Sequence, residues 1–386
     1  MSTETVQPIQ AINRTAIVDI LRGWAILGVV IGNYSDYTFI GKPITVKPDL
    51  VSNILQGVNQ VVFAAKSWTM LSLLFGYGFA VVIAKMKQQD KDPLVFFGKR
   101  MFWLLIIAFI NSCFWFGDIL KDYALMGLLL ILFRNISAKK AFITAAVMLL
   151  LLPFIQAGVA FALPYDYMGA VNKHVVPTLY SSSLIDVFIS HLKGTYYLQI
   201  IFPQYAISVH VMMFACMLLG LAAQRVDFFN HMDVFKKKIN TTFYVAWITM
   251  AVVATLMGMA GNAPVFNYFK PRYWLVFATM TTILTGICLL YLNKKLKGFF
   301  AALQNMGRMT LTNYMVQNVI AIFIFMNVGL GIFNTMPYWF YFTTAVVVFT
   351  LQIFISKWWL SYFNYGPIEW VWRQLSYGKR LPLKKG

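Results

Sequence analysis

Long apolar runs alternate with short polar or basic segments along almost the whole chain. A helix needs about 20 mostly apolar residues to cross the hydrocarbon core of a bilayer. The pattern therefore predicts an all-α polytopic membrane protein that forms a single integral-membrane domain over residues 1–386. Ten spans are predicted, at 17–40, 61–84, 101–117, 118–134, 141–163, 204–224, 242–260, 273–293, 301–326 and 338–358.

Three segments outside these spans have distinct characters. Residues 1–16 form an N-terminal tail, and residues 164–203 form a long external segment whose part 183–202 is amphipathic or re-entrant. Residues 359–386 combine an interfacial helix with a basic tail. In that helix, Glu369 and Arg373 have the i, i+4 spacing of a helical ion pair.

Composition and charge support a membrane location. The chain is 60% hydrophobic and 12% charged, whereas a soluble domain carries roughly 25% charged residues. Of the 32 Lys and Arg residues, 22 fall in one alternating set of segments and 7 in the other. The positive-inside rule places the richer set, and with it both termini, in the cytoplasm. The net charge of +19 is thus a topology signal that also favours contact with the lipid bilayer, and no nucleic-acid partner is expected.

Ionisable and amide side chains interrupt the first two spans, and such groups normally face the protein interior. Asp19, Arg22 and Asn33 fall on one face of the first helix. Two interpretations stay open: an ion pair with a hydrogen-bonded amide that fixes helix packing, or an anion-binding Arg22 held by Asp19. Lys66 heads the second span near the outer surface, where its side chain can snorkel to water.

The fourth span reaches 20 residues only if it includes 117–122, which places Asp118 and Asp122 one helical turn apart. Such a pair binds a cation, accepts a proton or acts as a general base. Alternatively, Asp118 is the N-cap of a helix that starts at the interface. His210, two turns inside the sixth span, serves either packing or catalysis. No histidine pair has the spacing of metal ligands, so no metal is expected.

The ninth span is the most polar of the ten. Its side chains cannot all face lipid, and they predict either a central helix that lines a cavity or a hydrogen-bonded core. Arg308 and Thr312 are expected to share one face, and Asn313 and Gln317 another. Tyr314 is a further polar residue of this span.

Several motifs together resemble the YeiB-like family of bacterial membrane proteins. They cover nearly the whole chain and lie at 19–33, 66–78, 117–124, 217–220, 307–314 and 366–378. The family looks like a branch of the transmembrane acyltransferase superfamily, which includes proteins that O-acylate surface sugars. The resemblance implies a ten-helix core in the bacterial inner membrane that takes acyl-CoA from the cytoplasm and delivers the acyl group to an acceptor on the far side.

The resemblance also implies roles for individual residues. In the O-acylating branch, a catalytic histidine follows the first-helix arginine by eleven residues, but here that position is Asn33, and an amide cannot take a proton. Asp118 or His210 is then expected to activate the acceptor. Arg22 and Arg308 would neutralise CoA phosphates, and Asn33 and Tyr314 would hydrogen-bond the carbonyl. Thr312 is a further substrate-binding candidate, and the expected orienting residues are Asp19, Lys66, Asn313, Gln317 and Glu369.

The expected activity is therefore acyl transfer from acyl-CoA, with acetyl-CoA as the simplest donor, to a small-molecule or glycan acceptor. A proton-coupled transporter or lipid flippase is the alternative, since the same polar helices would line a transport path. A membrane scaffold without a substrate is a third hypothesis, which the polar ninth span disfavours. A homodimer is compatible with each hypothesis.

Overall fold

The structure is a computed structural model, which describes residues 15–38, 49–88, 92–260 and 264–385. Sixteen α-helices occupy these ranges: α1 Ala16–Asp36, α2 Leu50–Val58, α3 Lys66–Gln88, α4 Pro93–Ser112, α5 Leu120–Ile131, α6 Ala138–Ala162, α7 Tyr167–Ala170, α8 Val176–Leu179, α9 Leu184–Thr195, α10 Pro203–Arg225, α11 Lys236–Ala260, α12 Arg272–Leu292, α13 Lys297–Arg308, α14 Thr310–Phe325, α15 Tyr338–Tyr362 and α16 Pro367–Tyr377. Short π-helical segments at Asn59–Phe63, Val171–Val175 and Tyr196–Ile200 join neighbouring helices.

Eight helical stretches within the described residues are long and apolar enough to cross a membrane. They are α1, the continuous run Leu50–Gln88, α4, α6, α10, α11, α12 and α15. The predicted all-α polytopic membrane architecture is confirmed. Seven of these stretches correspond to predicted spans with ends shifted by up to eight residues, and the run that contains α3 starts earlier than predicted. Residues 39–40 of the first predicted span lie outside the described residues.

The predicted span 118–134 takes a different form. Helix α5 has 12 residues and begins at Leu120, so at 1.5 Å per residue it is about 18 Å long, too short to cross the hydrocarbon alone. Asp118 precedes the helix, so the prediction that Asp118 and Asp122 lie one turn apart in one helix is wrong. The irregular backbone before α5 is buried in protein, where the Thr195 hydroxyl donates a hydrogen bond to the Phe116 carbonyl at 3.1 Å. Such satisfied backbone is tolerated at membrane depth.

The predicted span 301–326 is two helices, because the chain leaves helical geometry at Met309. The new helix start in α14 exposes backbone N–H groups, and the carboxylate of Glu369 accepts hydrogen bonds from two of them. Arg308 ends α13, and Thr312 is the third residue of α14. The prediction that these two side chains share one helix face is therefore wrong.

The external and C-terminal segments form helices where they were predicted. Helix α9 and the π-helical segment that follows it cover most of 183–202. Helix α16 starts at Pro367, as expected for a proline in the first turn, and ends where Gly378 adopts a left-handed conformation with φ of 63°.

Side-chain contacts bring one alternating set of connecting segments together at one end of the bundle, here called the basic end. The Lys87 ammonium donates to the Asn135 amide at 2.8 Å, and the Lys236 ammonium donates to the Asn293 amide at 3.2 Å. The basic end comprises residues 85–88, 92–100, 134–140, 225–238, 293–297 and 357–385. These are segments in which the sequence concentrates its Lys and Arg residues.

The other set of segments meets at the opposite end. The Asn59 amide donates to the Tyr338 hydroxyl at 2.8 Å, and the Asn334 backbone N–H donates to the Tyr37 carbonyl at 3.0 Å. The helices therefore run up and down between a basic end and an opposite end with few cations.

Helices α1 and α13 approach each other closely because each contributes a glycine that packs against the backbone of the other helix. A Cβ atom at Gly23 would clash with the carbonyl of Leu303, and one at Gly307 would clash with the carbonyl of Asp19. Small residues allow membrane helices to pack backbone to backbone. This packing sets the start of α1, with Asp19, beside the end of α13, with Arg308.

Candidate functional site

A cavity of about 300 Å³ reaches from the basic end into the bundle. We call it the basic cavity. Four arginines line it, Arg22, Arg100, Arg308 and Arg373, and apolar residues of α1, α3 and α4 form much of the remaining wall. Its innermost lining includes Tyr314. Such a cavity suits a ligand that has both an anionic and an apolar part.

The two carboxylates of the basic cavity are already engaged within the protein. The predicted pair of Asp19 and Arg22 is present, with Oδ1 and Nη1 3.3 Å apart. Glu369 accepts hydrogen bonds from the backbone N–H groups of Leu311 at 2.7 Å and Thr312 at 3.1 Å, and from the Thr312 hydroxyl. Burial raises the pKa of Glu369, while the bonds from Thr312 act in the other direction. The cavity wall thus carries an excess of positive charge.

Helix α16 closes one side of the basic cavity. The Arg100 guanidinium lies 3.8 Å from the centre of the Trp372 ring, and the Trp372 indole donates to the Arg100 carbonyl at 2.9 Å. Arg373 lies over the ring of Tyr365 at 4.8 Å, while Glu369 contacts α14. The sequence therefore located α16 correctly, but it did not indicate Arg100 or Arg373 as cavity residues. Arg100 counted only toward topology, and Arg373 counted toward topology and as the i, i+4 partner of Glu369.

A chain of amide side chains crosses the bundle at the inner limit of the basic cavity. The Asn33 amide donates to Asn318 at 3.2 Å, the Asn318 amide donates to Asn111 at 3.2 Å, and the Asn111 amide donates to Asp118 at 2.7 Å. The Tyr314 hydroxyl donates to the same Asp118 oxygen at 3.2 Å. These five residues are here called the amide network.

The amide network gives Asp118 neutral donors in a dry environment. Asp118 and Asn111 have no exposed surface, and Asn318 has 1%. All the amide donors point toward the carboxylate, an arrangement in which hydrogen bonds strengthen one another. Asn33, Asp118 and Tyr314, predicted as separate site residues, are thereby brought together. Sequence reasoning missed Asn111, although a polar residue inside the apolar run of α4 is the kind of signal that identifies one.

A second cavity of about 240 Å³, here called the outer cavity, lies toward the opposite end. Asn33, Asp36, Asn59 and Trp68 line it. The lining residues that the two cavities share are Val29, Ile119 and Tyr314. The Tyr314 side chain therefore stands where a ligand from the basic end would meet a ligand from the opposite end.

His210 belongs to a different cluster, although it was predicted together with Asp118. Its Nε2 lies 3.0 Å from Oδ1 of Asp122, and the ammonium of Lys121 lies 3.0 Å from Oδ2 of the same carboxylate. The Tyr205 hydroxyl donates to Asp122 at 3.2 Å. His210 lines neither the basic nor the outer cavity. Asp122 is the residue that holds this ion cluster together.

The remaining predicted side chains on α14 serve contacts between helices. The Asn313 amide donates to the Ser356 hydroxyl at 3.0 Å, and the Gln317 amide donates to Gln352 at 2.7 Å. Asn313 and Gln317 therefore share a face, as predicted, and that face packs on α15. The hydroxyl of Thr312 bonds to Glu369 of α16.

Lys66 heads α3 as predicted but does not snorkel. Only 3% of the residue is exposed, and its ammonium donates to the carbonyl of Gln60 in the π-helical segment before α3. The expectation that it reaches water is wrong, because the preceding segment folds over it. Within the described residues, no three His, Cys, Asp or Glu side chains group as metal ligands.

Comparisons with known proteins support the resemblance of the sequence motifs. Residues 223–379 match the family described as "Protein of unknown function (DUF418)". The chain is 25% identical to "Uncharacterized protein YxaH" of Bacillus subtilis (strain 168), over 99% of this chain and 98% of the relative. It is 24% identical to "Uncharacterized 39.9 kDa protein in amylase 3'region" of Bacillus acidopullulyticus, over 98% of both.

A third relative extends this similarity. "Uncharacterized protein YeiB" of Escherichia coli (strain K12) is 26% identical over 94% of this chain and 96% of its own length. All three matches run nearly end to end, as the motifs do. The chain is therefore similar over nearly its whole length to proteins named YxaH and YeiB, and its C-terminal part matches the DUF418 family, in agreement with the resemblance of its motifs.

Proposed function

We propose that this protein is a membrane acyltransferase that binds acyl-CoA in the basic cavity and transfers the acyl group at the amide network. One observation carries the proposal: an arginine-lined cavity with apolar walls ends at Tyr314, whose hydroxyl is bonded to the buried Asp118. The superfamily resemblance of the sequence motifs favours the same reaction.

The donor fits the basic cavity by its chemistry. Guanidinium groups bind phosphate oxygens through paired, charge-assisted hydrogen bonds. Arg100 and Arg373 are placed at the mouth by α4 and α16, and Arg22 and Arg308 lie at the contact of α1 with α13. The apolar wall, which includes Leu71 and Phe75, would hold the acyl chain as it points toward Tyr314.

The transfer step balances with groups present at the junction. A hydroxyl or amine of the acceptor attacks the thioester carbonyl carbon, a new C–O or C–N bond forms, and the C–S bond breaks. The acceptor gives its proton to the Tyr314 hydroxyl as that hydroxyl passes its own proton to Asp118. The proton then returns to the departing CoA thiolate. The products are the acylated acceptor and free CoA thiol, with no net change at Tyr314 or Asp118.

The orientation follows from the charge of the two ends. With the basic end in the cytoplasm, as the positive-inside rule favours, the basic cavity faces the compartment that contains CoA. Thr15 and the C-terminal helix α16 both lie at that end, so both termini would be cytoplasmic. The proposed location is the bacterial inner membrane.

The test uses purified protein in nanodiscs with radiolabelled acetyl-CoA, and it measures binding at equilibrium and release of CoA thiol. Arg308→Gln is expected to weaken binding by about tenfold, because a charge-assisted phosphate contact is worth about 1.5 kcal/mol or more. Lys237→Gln, which removes an exposed cation at the same end, is the matched control. No binding by the wild-type protein, or equal losses in both variants, would contradict the proposal.

A proton-coupled transporter is the second candidate, and the shared lining of the two cavities favours it. Cavities from opposite ends that meet at Tyr314, beside a buried carboxylate, also describe an interrupted transport path. Solute uptake into proteoliposomes, driven by a pH gradient and lost in Asp118→Asn, would support transport. Release of CoA thiol without any such uptake would support the transferase.

A further inference from the structure

Asp36 provides the outer cavity with a carboxylate. It lies one helical turn beyond Asn33 on α1, and both residues line the cavity. Among the described residues, the ion pairs involve Asp19, Asp122 and Asp227, and no ion pair or side-chain hydrogen bond involves the Asp36 carboxylate. The ammonium of the nearby Lys66 is bonded to the Gln60 carbonyl instead.

A second polar group in the same cavity also lacks a partner. Asn59 is 8% exposed, and its amide nitrogen donates to the Tyr338 hydroxyl at 2.8 Å. The Oδ1 atom of Asn59 is buried and has no hydrogen-bond partner within the described part of the chain. A buried acceptor without a donor costs free energy, so it is normally satisfied by a ligand or a water molecule.

The remaining wall fits a small organic cation. Trp68 lines the cavity, and an indole face attracts an ammonium group. No Lys or Arg is among the described lining residues. Gly32 leaves space on the α1 side, because a Cβ added there would meet no atom within 4 Å.

We infer that the outer cavity binds a primary ammonium group, with Asp36 as its counter-ion and the side-chain oxygens of Asn33 and Asn59 as further acceptors. A primary ammonium has three N–H donors, which matches one carboxylate and two amide oxygens. Neither the family description nor the relatives assign a ligand to this place. Binding of the ammonium ligand is independent of the acyl transfer proposed above.

Two sources supply this chemistry at the opposite end: a free amine, or the headgroup of an ethanolamine phospholipid in the bilayer. Isothermal titration of free ethanolamine into protein in phosphatidylcholine nanodiscs measures the first. The same titration in nanodiscs that contain phosphatidylethanolamine measures competition from the second. A lower apparent affinity in the ethanolamine lipid assigns the site to the headgroup, and an equal affinity assigns it to the free amine.

Variants separate the site from unspecific binding. Asp36→Asn keeps the shape and removes the charge, and it is expected to weaken ethanolamine binding by at least about tenfold. Gly32→Leu fills the open space and is expected to abolish binding without removing any charge. Asp166→Asn, a surface carboxylate at the same end whose cap an Asn can replace, is the matched control.

The deciding measurement is ethanolamine binding by the wild type and the variants in phosphatidylcholine nanodiscs. Thermal unfolding checks that each variant is folded. Binding of ethanolamine, none of the isosteric neutral ethylene glycol, and loss in both cavity variants support the ammonium site. Absence of ethanolamine binding by the wild-type protein, or equal affinity in the wild type and Asp36→Asn, would overturn it.

Discussion

Asp118 and Asp122 are both buried and only four residues apart, yet their surroundings differ in kind. The Asp118 carboxylate accepts hydrogen bonds from neutral groups, the Asn111 amide, the Tyr314 hydroxyl and the Lys121 backbone N–H, beside the junction of two cavities. The Lys121 ammonium donates to the Asp118 backbone carbonyl instead. Asp122 is held between two cationic or protonatable groups, Lys121 and His210. A carboxylate with cationic partners is fixed as an anion and stabilises the fold. A carboxylate with neutral donors at a cavity is free to take up and return a proton.

The largest expected effect is on the ion cluster. Asp122→Ala leaves Lys121 and His210 in a buried site without their counter-ion, and breaking such a pair costs about 3–5 kcal/mol of stability. Thermal unfolding in detergent measures the loss, with Asp233→Ala, at an exposed position of the basic end, as the control. If Asp122→Ala were as stable as the control, the cluster would have no structural role and the contrast with Asp118 would fail.

The second largest effect is expected for Asp118→Asn, which should lower the rate of turnover without lowering stability. Asp118→Asn keeps an oxygen for the donors Asn111 and Tyr314 but removes the proton acceptor. Loss of a general base lowers the rate by about 10²–10⁴-fold, so release of CoA thiol from acetyl-CoA should fall by at least about 100-fold. Its unfolding temperature should stay close to that of the wild type. Undiminished thiol release in a folded Asp118→Asn protein would remove Asp118 from the reaction.

The dependence of stability on pH extends the comparison to a buried histidine, His191. Both ring nitrogens of His191 are buried and unpartnered within the described residues, and burial lowers its pKa from 6.5 to about 3. Helix α9, which carries it, is not one of the eight spans. The unfolded chain takes up a proton near pH 6.5 that the folded state excludes, so stability is complete above pH 6.5 and is lost as the pH falls toward 3.

The corresponding measurement is unfolding at pH 7 and pH 5. Because of His191, the free energy of unfolding of the wild-type protein should fall by about 2 kcal/mol between pH 7 and pH 5. In His191→Phe, which keeps an aromatic ring beside Phe116, the decrease should be smaller by about that amount. The same pH response in wild type and His191→Phe would show that the imidazole is not held neutral.

The smallest effect concerns Glu369, a half-buried carboxylate that lines the basic cavity. It resembles Asp118 in accepting bonds from neutral donors, here the N–H groups of Leu311 and Thr312, but it caps a helix. Glu369→Gln should lower stability by about 1 kcal/mol through loss of charge-assisted bonds. Thiol release should fall far less than in Asp118→Asn. Equal losses of activity would mean that the position of Asp118 at the junction is not what matters.

The apolar periodicity predicted the helices well because lipid-facing length constrains a chain directly. It failed where helices are short or broken, at α5 and at Met309. There the ends are satisfied by groups far away in sequence, Thr195 and Glu369. A local pattern of about 20 apolar residues carries no information about partners so distant in sequence.

The candidate site was predictable in its residue types but not in its groupings. Asn33, Asp118 and Tyr314 stood out as polar residues at membrane depth, and the structure joins them. His210 stood out equally, and the structure assigns it to Asp122. Which polar residue meets which depends on the packing of α4, α5, α10 and α14, whose relative rotation a single sequence does not encode in any local pattern.

The central claim is that the acyl end of acyl-CoA lies at Tyr314, and photo-crosslinking tests it most directly. An acyl-CoA with a photoreactive group at the end of its acyl chain is bound to the protein in nanodiscs and irradiated, and the adducts are located by mass spectrometry. We expect adducts at the shared lining, Val29, Ile119 and Tyr314, and we expect excess acetyl-CoA to suppress them. Adducts confined to exposed positions such as Trp247, or unaffected by acetyl-CoA, would contradict it.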